Sequence, residues 1–410
     1  MRRETGRWEY LLLVLGGLAY TCYTFVWFSL PALLSPVIAE FGLTTTQAGV
    51  IVGAVPLMYV PLGLVSGLLI DRIGSRTAIG VGLAGFGVVQ VVRGLAGGFV
   101  GLLVPTLLLG VLGTGITFGL PKLVSELFPS ERTGTMSSVY QVGSSLGPMA
   151  AFGLSRPVLE PFFGGWRPVF LASGVVVLAY AVVWAVAATL YSRTGDANWH
   201  IEDEGEEERA FTLDSAREDV ARLLSHRDML LLVLVGTMYL FVNHGLRGWL
   251  AVILEGTGIS PGVAGLVTSL LVAAQIAGTV TIPPLSDRWS RRRAALAGCG
   301  LLCTVGTAGL LLGPGSLPGV VLVVWITGMG LGGLSPMIKT IPIEMDGIGT
   351  ALTATAVSFV YAVGEIGGFG GPFVIGSVRD VTGSFEAGLA VLVVASVVIV
   401  GASASMTHVD

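Results

Sequence analysis

The chain has 410 residues, of which 53% are hydrophobic and only 12% are charged, and its formal net charge is −4. So little polar surface excludes an ordinary soluble protein of this length, and the small net charge points to no nucleic-acid partner. The 60 glycines are dispersed through apolar stretches, which excludes the periodic pattern of a collagen-like chain. We therefore expect a protein that resides in a lipid bilayer.

Twelve apolar stretches are long enough to cross a membrane, for which a helix needs roughly 20 residues. They are apolar on all sides and lack the one-sided stripe of a helix in a soluble protein. The predicted spans are 9–34, 48–70, 77–97, 99–127, 134–158, 167–190, 228–254, 261–285, 294–313, 318–341, 347–375 and 384–405. The sequence therefore predicts an all-α membrane protein. Because the first run is too long for a signal peptide and further spans follow it, we expect no cleavable signal peptide.

Arginines are distributed unevenly between the two sets of loops. If the N-terminus is cytoplasmic, most arginines near span ends fall on the cytoplasmic side, and this bias repeats loop by loop. We therefore expect a multi-pass protein of the cytoplasmic membrane with both termini in the cytoplasm.

The longest polar interruption runs from Ser192 to Arg227. It begins acidic and continues into a segment, Leu213 to Leu224, with the apolar spacing of a short amphipathic helix. We interpret it as a cytoplasmic tether. The predicted domains are an N-terminal six-helix bundle at 1–190, the linker at 191–227 and a C-terminal six-helix bundle at 228–410.

Two short polar stretches divide apolar runs in similar ways. Gly67 to Arg76 reads Gly-Leu-Leu-Ile-Asp-Arg-Ile-Gly-Ser-Arg and joins spans two and three, which leaves room only for a tight hairpin. A less well-preserved repeat of this stretch, at Pro283 to Arg292, joins spans eight and nine. The pairs Asp71-Arg72 and Asp287-Arg288 are separated by about half the chain, which indicates two related halves.

Further correspondences support a duplication. Leu13 to Tyr20 in span one resembles Leu232 to Tyr239 in span seven, and Val139 to Gly147 in span five resembles Val360 to Gly368 in span eleven. The matches keep one order and nearly one offset. We therefore expect an internal repeat.

The pattern Gly67-x-x-x-Asp71-Arg72-x-Gly74-x-Arg76 resembles the loop signature of the major facilitator superfamily, which follows the second helix and is echoed after the eighth. The resemblance covers nearly the whole chain in span count, loop placement and central linker. It implies twelve transmembrane helices in two pseudo-symmetric six-helix bundles, with the solute site between them.

The signature loop is a candidate gate. Gly67 would permit close approach of a neighbouring helix, and Asp71 could accept hydrogen bonds from a helix N-terminus in the opposite half, while the arginines pair with acids. The alternative is that these charges only solvate a turn and establish topology. The candidate gating residues are Gly67, Asp71, Arg72, Gly74, Arg76, Glu126, Asp287 and Arg288.

Glu365 lies deep in span eleven, with no basic residue within one helical turn. A charge at mid-membrane costs on the order of 3 kcal/mol, so such a carboxyl group is a candidate carrier of a coupling proton. The alternative is a structural partner for a base on another helix, such as Arg247.

Asn243, His244 and Arg247 lie in the outer half of span seven. The glycines at 245 and 248 would allow a kink or an unwound turn there, as an anion-binding segment requires. Arg247 could instead extend to water at the membrane surface.

The other candidate substrate contacts combine apolar area with hydrogen-bonding groups, or carry the chain's only lysines. For each, packing or a nearby acid is the alternative role. They are Tyr20, Tyr23, Tyr59, Lys122, Tyr140, Gln275, Lys339 and Tyr361. Arg93, near the outer end of span three, is interpreted as an interface anchor.

The residues 120–134 resemble, weakly and locally, a region of nitrate/nitrite and cyanate porters, but Tyr59 and Gln275 stand where nitrate porters carry arginines. The fourth span also lacks the arginine of proton-coupled drug exporters in the superfamily. No phosphate-cradling motif, metal site or catalytic set is found, so we expect no enzyme and no cofactor.

We interpret the chain as a monomeric secondary active transporter that moves a small organic or inorganic anion by alternating access, with proton coupling. One alternative is a multidrug or metabolite exporter of the same fold. Another is a solute sensor that does not transport.

Overall fold

In a computed structural model of the protein, the part of the chain that the structure describes is almost entirely helical. The structure describes residues 6–193, 222–289, 291–345 and 349–407, apart from the side chains of 64, 65, 68, 289, 344 and 349–354. Within these ranges eleven helices are long and apolar enough to cross a membrane. The helices begin and end within a few residues of most predicted spans, which confirms the predicted helical membrane protein.

The helices before the central segment are α1 (Arg7–Ala32), α2 (Leu34–Phe41), α3 (Thr45–Ile73), α4 (Ser75–Gly94), α5 (Phe99–Thr117), α6 (Gly119–Leu127), α7 (Ser130–Leu154), α8 (Glu160–Phe163) and α9 (Trp166–Arg193). Those after it are α10 (Arg227–Gly256), α11 (Pro261–Trp289), α12 (Arg292–Leu312), α13 (Leu317–Glu344), α14 (Gly349–Thr382) and α15 (Phe385–Ala404).

The helices pack into two compact units. The first comprises Met1–Leu33 and Pro61–Arg209, and the second comprises Leu34–Val60 and Ala210–Asp410. The sequence-based division at 190 and 228 stays a prediction, and most of the predicted tether, at 194–221, lies outside the described residues.

Helix α7 is the predicted fifth span, although it is too polar to count among the eleven apolar helices. Its hydroxyl groups bond within the helix: Ser138 Oγ donates to the Thr135 carbonyl at 2.6 Å and Ser144 Oγ to the Gln141 carbonyl at 2.7 Å. Hydroxyls that are satisfied in this way add little cost to a membrane helix.

The predicted hairpin after the second span is confirmed. Helix α3 ends at Ile73 and α4 begins at Ser75, so Gly74 is the only residue between them. Its φ of +81° lies in the region that favours glycine. The repeat of this stretch at Pro283 to Arg292 also contains a short connection, since α11 ends at Trp289 and α12 begins at Arg292.

Equivalent glycines make equivalent helix contacts in the two units, which supports the internal repeat. In the first unit, Gly143 of α7 lies directly against the carbonyl oxygen of Gly17 of α1. In the second unit, the Cβ position of Gly364 on α14 is 3.5 Å from the carbonyl oxygen of Gly236 on α10. These are the paired positions of the repeat, and both bring backbones close because neither glycine has a side chain.

We expect Gly143→Ala to destabilise the protein by about 1 to 3 kcal/mol, because the new methyl group would overlap the α1 backbone and force the helices apart. Thermal unfolding in detergent would measure the effect. Gly134→Ala is the matched control on the same helix, since no described atom lies within 4 Å of its Cβ position. Equal stability of the two variants would contradict the close contact.

Asp380, near the end of α14, caps the N-terminus of α3. Its carboxylate accepts hydrogen bonds from the backbone N–H groups of Thr45 at 2.9 Å and Thr46 at 2.7 Å. The first N–H groups of a helix have no partner within the helix, and a carboxylate there also meets the positive end of the helix dipole. Further along, Gly49 lies against the Pro372 carbonyl oxygen. These contacts explain why the first half of α3 belongs to the second unit.

Arg93 is not an interface anchor, as the sequence led us to expect, but is fully buried in the first unit. Its Nη1 donates to the Val26 carbonyl at 3.0 Å and to Gln90 Oε1 at 3.1 Å, and its guanidinium lies 5.1 Å from the ring centre of Phe170. Packing of α1 and α9 over the end of α4 causes this burial, and hydropathy along one span does not reveal it.

Candidate functional site

The second unit brings the predicted coupling residue next to a base. Because Gly364 allows α14 to approach α10 closely, the neighbouring Glu365 lies beside His244. Glu365 Oε2 is 3.9 Å from His244 Nε2, and the two side chains are only 13% and 9% exposed. Among the described residues, no hydrogen-bond donor reaches Glu365 Oε2. A carboxyl oxygen with this geometry can accept a proton or a donated hydrogen bond.

A continuous hydrogen-bond network connects α10 and α11, and it consists of Arg247, Gln275 and Asn243. Arg247 Nη2 donates to Gln275 Oε1, and Gln275 Nε2 donates to Asn243 Oδ1 at 3.0 Å. Asn243 and Gln275 are buried and Arg247 is half-buried. The amide of Gln275 thus accepts from a guanidinium N–H. An anion in the place of this amide would make a stronger bond, because both partners would then be charged.

Helix α10 does not unwind beside these residues, contrary to the expectation from its glycines. It is continuous from Arg227 to Gly256. Gly245 lies against the side chains of Ile375 and Leu392, and Gly248 lies against Val52. The glycines therefore let neighbouring helices approach α10, and the helix continues past them.

Lys339 and Tyr361 form a second polar group in this unit. The Lys339 ammonium lies 5.3 Å from the ring centre of Tyr361, and the Tyr361 hydroxyl donates to the Ser335 carbonyl at 3.4 Å. Lys339 is exposed. Tyr361 lies one turn before Glu365 on α14, so this group and the Glu365–His244 pair share one stretch of helix. Tyr59, on α3, is largely buried in the same unit.

In the first unit, the predicted tyrosines form an aromatic cluster on α1 and α7. The ring centres of Tyr20 and Tyr23 are 6.2 Å apart, and those of Tyr20 and Tyr140 are 6.3 Å apart. Tyr23 is fully buried and its ring stacks on Phe86 at 4.6 Å. Tyr23 is therefore a core residue in this structure, whereas Tyr20 is partly exposed.

Lys122 forms an ion pair with Asp71 in the first unit, between α6 and the end of α3. Nearby, Ser75 Oγ donates to Glu126 Oε2 at 2.6 Å, which ties the start of α4 to α6. The structure thus connects the candidate substrate contact Lys122 to the candidate gating residue Asp71. Ser75 was not identified as a candidate residue from the sequence. Its position directly after the turn glycine, at the start of a helix, could have indicated it.

The other gating residues lie around the two hairpins. Arg76 Nη1 donates to Ser192 Oγ at 3.3 Å. Gly67 and Arg72 are exposed, and no described part of the first unit approaches within 4 Å of the Gly67 Cβ position, so the expected close helix contact is absent there. In the second hairpin, Asp287 Oδ1 pairs with Arg292 Nη1 at 2.6 Å. Arg288 is exposed as well.

Known proteins resemble this chain over most of its length. The sequence profile of the Major Facilitator Superfamily matches residues 16–372. A protein of Agrobacterium vitis named "Putative tartrate transporter" is 26% identical over 364 residues, which are 85% of this chain and 82% of that protein. The quinolone resistance transporter of Acinetobacter baumannii is 25% identical over 368 residues, covering 86% of this chain and 82% of that protein.

A solved structure has the same fold. It is the crystal structure of a bacterial homologue of the human lysosomal transporter Spinster, and it matches with a TM-score of 0.77 at 19% identity. The match covers 98% of this chain and 96% of that chain.

Proposed function

Since the chain belongs to the Major Facilitator Superfamily of membrane transporters, we propose that it carries a small organic or inorganic anion across the cytoplasmic membrane by proton-coupled secondary transport. As a member of this family it is a multi-pass membrane transporter with the twelve-helix, two-half fold, and it is not an enzyme. The anion, the coupling proton, the cytoplasmic position of both termini and the monomeric state are parts of the proposal.

The observation that carries the proposal is the hydrogen-bond network of Arg247, Gln275 and Asn243. Gln275 supplies an oxygen acceptor to the guanidinium of Arg247. A carboxylate or similar anion would replace this amide at Arg247, and the released Gln275 and Asn243 could then bond to the other polar groups of the solute. A small hydroxy-carboxylate fits this donor set best, because planar guanidinium groups bind carboxylates with two parallel hydrogen bonds.

Coupling would depend on the Glu365–His244 pair, 3.9 Å apart. A proton that binds to Glu365 neutralises its carboxylate, and this removes a negative charge from the neighbourhood of an incoming anion. The same proton makes the loaded protein less costly to rearrange within the bilayer, since uncompensated charge is expensive there. Solute and proton would therefore move together through alternating access.

A second candidate function is drug export. The Acinetobacter baumannii relative is named for quinolone resistance, at nearly the same identity as the relative whose name refers to tartrate. The hydrogen-bond network at Arg247 favours a small anion over a large drug with a mostly apolar framework, because apolar groups placed against the network would leave its donors and acceptors without hydrogen bonds.

Thermal-shift measurements on the purified protein would test the proposal. The panel would include tartrate, other small dicarboxylates, nitrate and a quinolone. A ligand at ten times its Kd stabilises the folded state by about 1.4 kcal/mol, so even a millimolar solute is detectable. We expect stabilisation by a small carboxylate and its uptake into proteoliposomes with an imposed proton gradient. Stabilisation by the quinolone alone, with dye efflux, would instead support export.

A further inference from the structure

A pocket outside the candidate site opens where the start of α12 meets the end of α15. Its volume is about 300 Å³, and it is lined by Arg291, Arg293, Ala294, Ala297 and Ala404. Two cationic side chains and a floor of small apolar side chains make it a mixed surface, which a wholly polar metabolite would match poorly. None of these residues belongs to the proposed transport or gating residues.

Within the described part of the chain, the charge of the pocket is positive and largely uncompensated. Of the three consecutive arginines at this turn, Arg292 pairs with Asp287 at 2.6 Å. Arg291 is exposed and Arg293 is half-buried, and among the described residues neither has an acidic partner. Helix α12 also begins here, at Arg292, so the partial positive charge of its N-terminus adds to that of the arginines. The pocket therefore attracts an anion.

An exposed apolar track continues from the pocket along both helices. On α12, Leu301 and Val305 follow Ala297 at four-residue spacing and are 55% and 50% exposed. On α15, Val397 lies two turns before Ala404 and is 51% exposed. Residues at these spacings share a helix face. The two helices pack together at Gly300, whose Cβ position is 3.0 Å from Val400.

We propose that this pocket binds the headgroup phosphate of an anionic phospholipid, with an acyl chain lying along the apolar track. The pocket is at the end of two membrane-spanning helices, which is the level of the headgroups, and the guanidinium groups of Arg291 and Arg293 match a phosphate in charge and geometry. The apolar surface below it fits an acyl chain, whereas a free phosphate has no apolar group that would contact this surface. Charge and apolar area together thus favour a lipid as the occupant.

The test uses the delipidated full-length protein in a neutral detergent, titrated with phosphatidylglycerol and followed by thermal shift and native mass spectrometry. Arg291→Gln/Arg293→Gln should weaken phosphatidylglycerol binding roughly thirtyfold, since each arginine near anionic lipid contributes about a fivefold factor. Phosphatidylcholine with the same acyl chains should bind both forms alike. Glycerol phosphate alone, which has the headgroup chemistry without acyl chains, should not stabilise either form.

Two further variants keep the test decisive. Arg193→Gln/Arg222→Gln removes the same net charge from exposed arginines that do not line the pocket, and it should bind phosphatidylglycerol as the unchanged protein does. Arg291→Lys/Arg293→Lys retains the charge and should restore most of the affinity, which separates lost binding from lost folding. Equal weakening by the control pair would overturn the proposal, as would glycerol phosphate that binds as tightly as the lipid.

Discussion

Glu365→Gln is expected to abolish accumulation of solute driven by a proton gradient while exchange of bound solute continues. Glutamine has nearly the shape of a protonated glutamate, so the solute site keeps its form, but it cannot release a proton on the other side of the membrane. Accumulation against a gradient then stops at the equilibrium level. The measurement is uptake of the best ligand from the thermal-shift panel into proteoliposomes, with and without an imposed pH gradient, beside counterflow of preloaded solute.

Glu386→Gln is the matched control for this prediction. Glu386 is an exposed acid in the first turn of α15, in the same unit. It should show normal accumulation and normal counterflow. If Glu365→Gln still accumulated solute in response to the gradient, Glu365 would be removed from the coupling mechanism. Loss of both activities, with an unchanged melting temperature, would assign Glu365 to solute binding instead.

Arg247→Gln is expected to weaken binding of an anionic solute by about 1.5 to 3 kcal/mol, or roughly 10- to 150-fold, which is the range for a lost hydrogen bond to a charged group. The new amide can still bond to Gln275, so the connection between α10 and α11 is retained. Titration of the purified variant by thermal shift would measure the change in Kd, and uptake would show the corresponding rise in KM.

Arg247→Lys separates charge from shape. A lysine keeps the positive charge but lacks the two-pronged guanidinium, so we expect it to recover only part of the affinity for a carboxylate. Arg222→Gln, at an exposed arginine near the start of α10, is the control and should bind as before. Unaltered anion affinity in Arg247→Gln would show that Arg247 only supports the structure, and the site would then have to be sought elsewhere.

The helices and their order could be predicted because they follow from local properties of the chain. Long apolar runs specify membrane helices wherever they fold. Gly74 could be recognised as the turn because glycine adopts a positive φ at no steric cost, and its φ in the structure is +81°. The paired motifs of the repeat could also be found in the sequence, since they keep one order and nearly one offset along the chain. Their physical meaning, the close contacts of Gly17 with Gly143 and of Gly236 with Gly364, appears only in the structure.

The contacts of the candidate site could not be predicted in the same way. The sequence identified Glu365 and Arg247 as costly charges in apolar surroundings and considered them as partners of one another, but in the structure Glu365 lies beside His244 and Arg247 donates to Gln275. Similarly, Lys122 was a candidate for solute contact and its ion pair with Asp71 became visible only when α6 was seen next to the end of α3. The choice of partner depends on helix rotation and depth, and hydropathy does not encode either quantity.

By itself, the sequence determined that this chain crosses the membrane repeatedly, that its two halves carry paired motifs in one order, and which few polar residues the bilayer would make costly. These properties are local or additive, because each residue contributes its own transfer free energy and its own backbone preference. Only the tertiary structure decided which polar residues meet, that Arg93 is buried and that the first half of α3 packs with the second unit. Those outcomes depend on close packing between distant segments, where a single missing Cβ sets how near two helices come and therefore which side chains face each other.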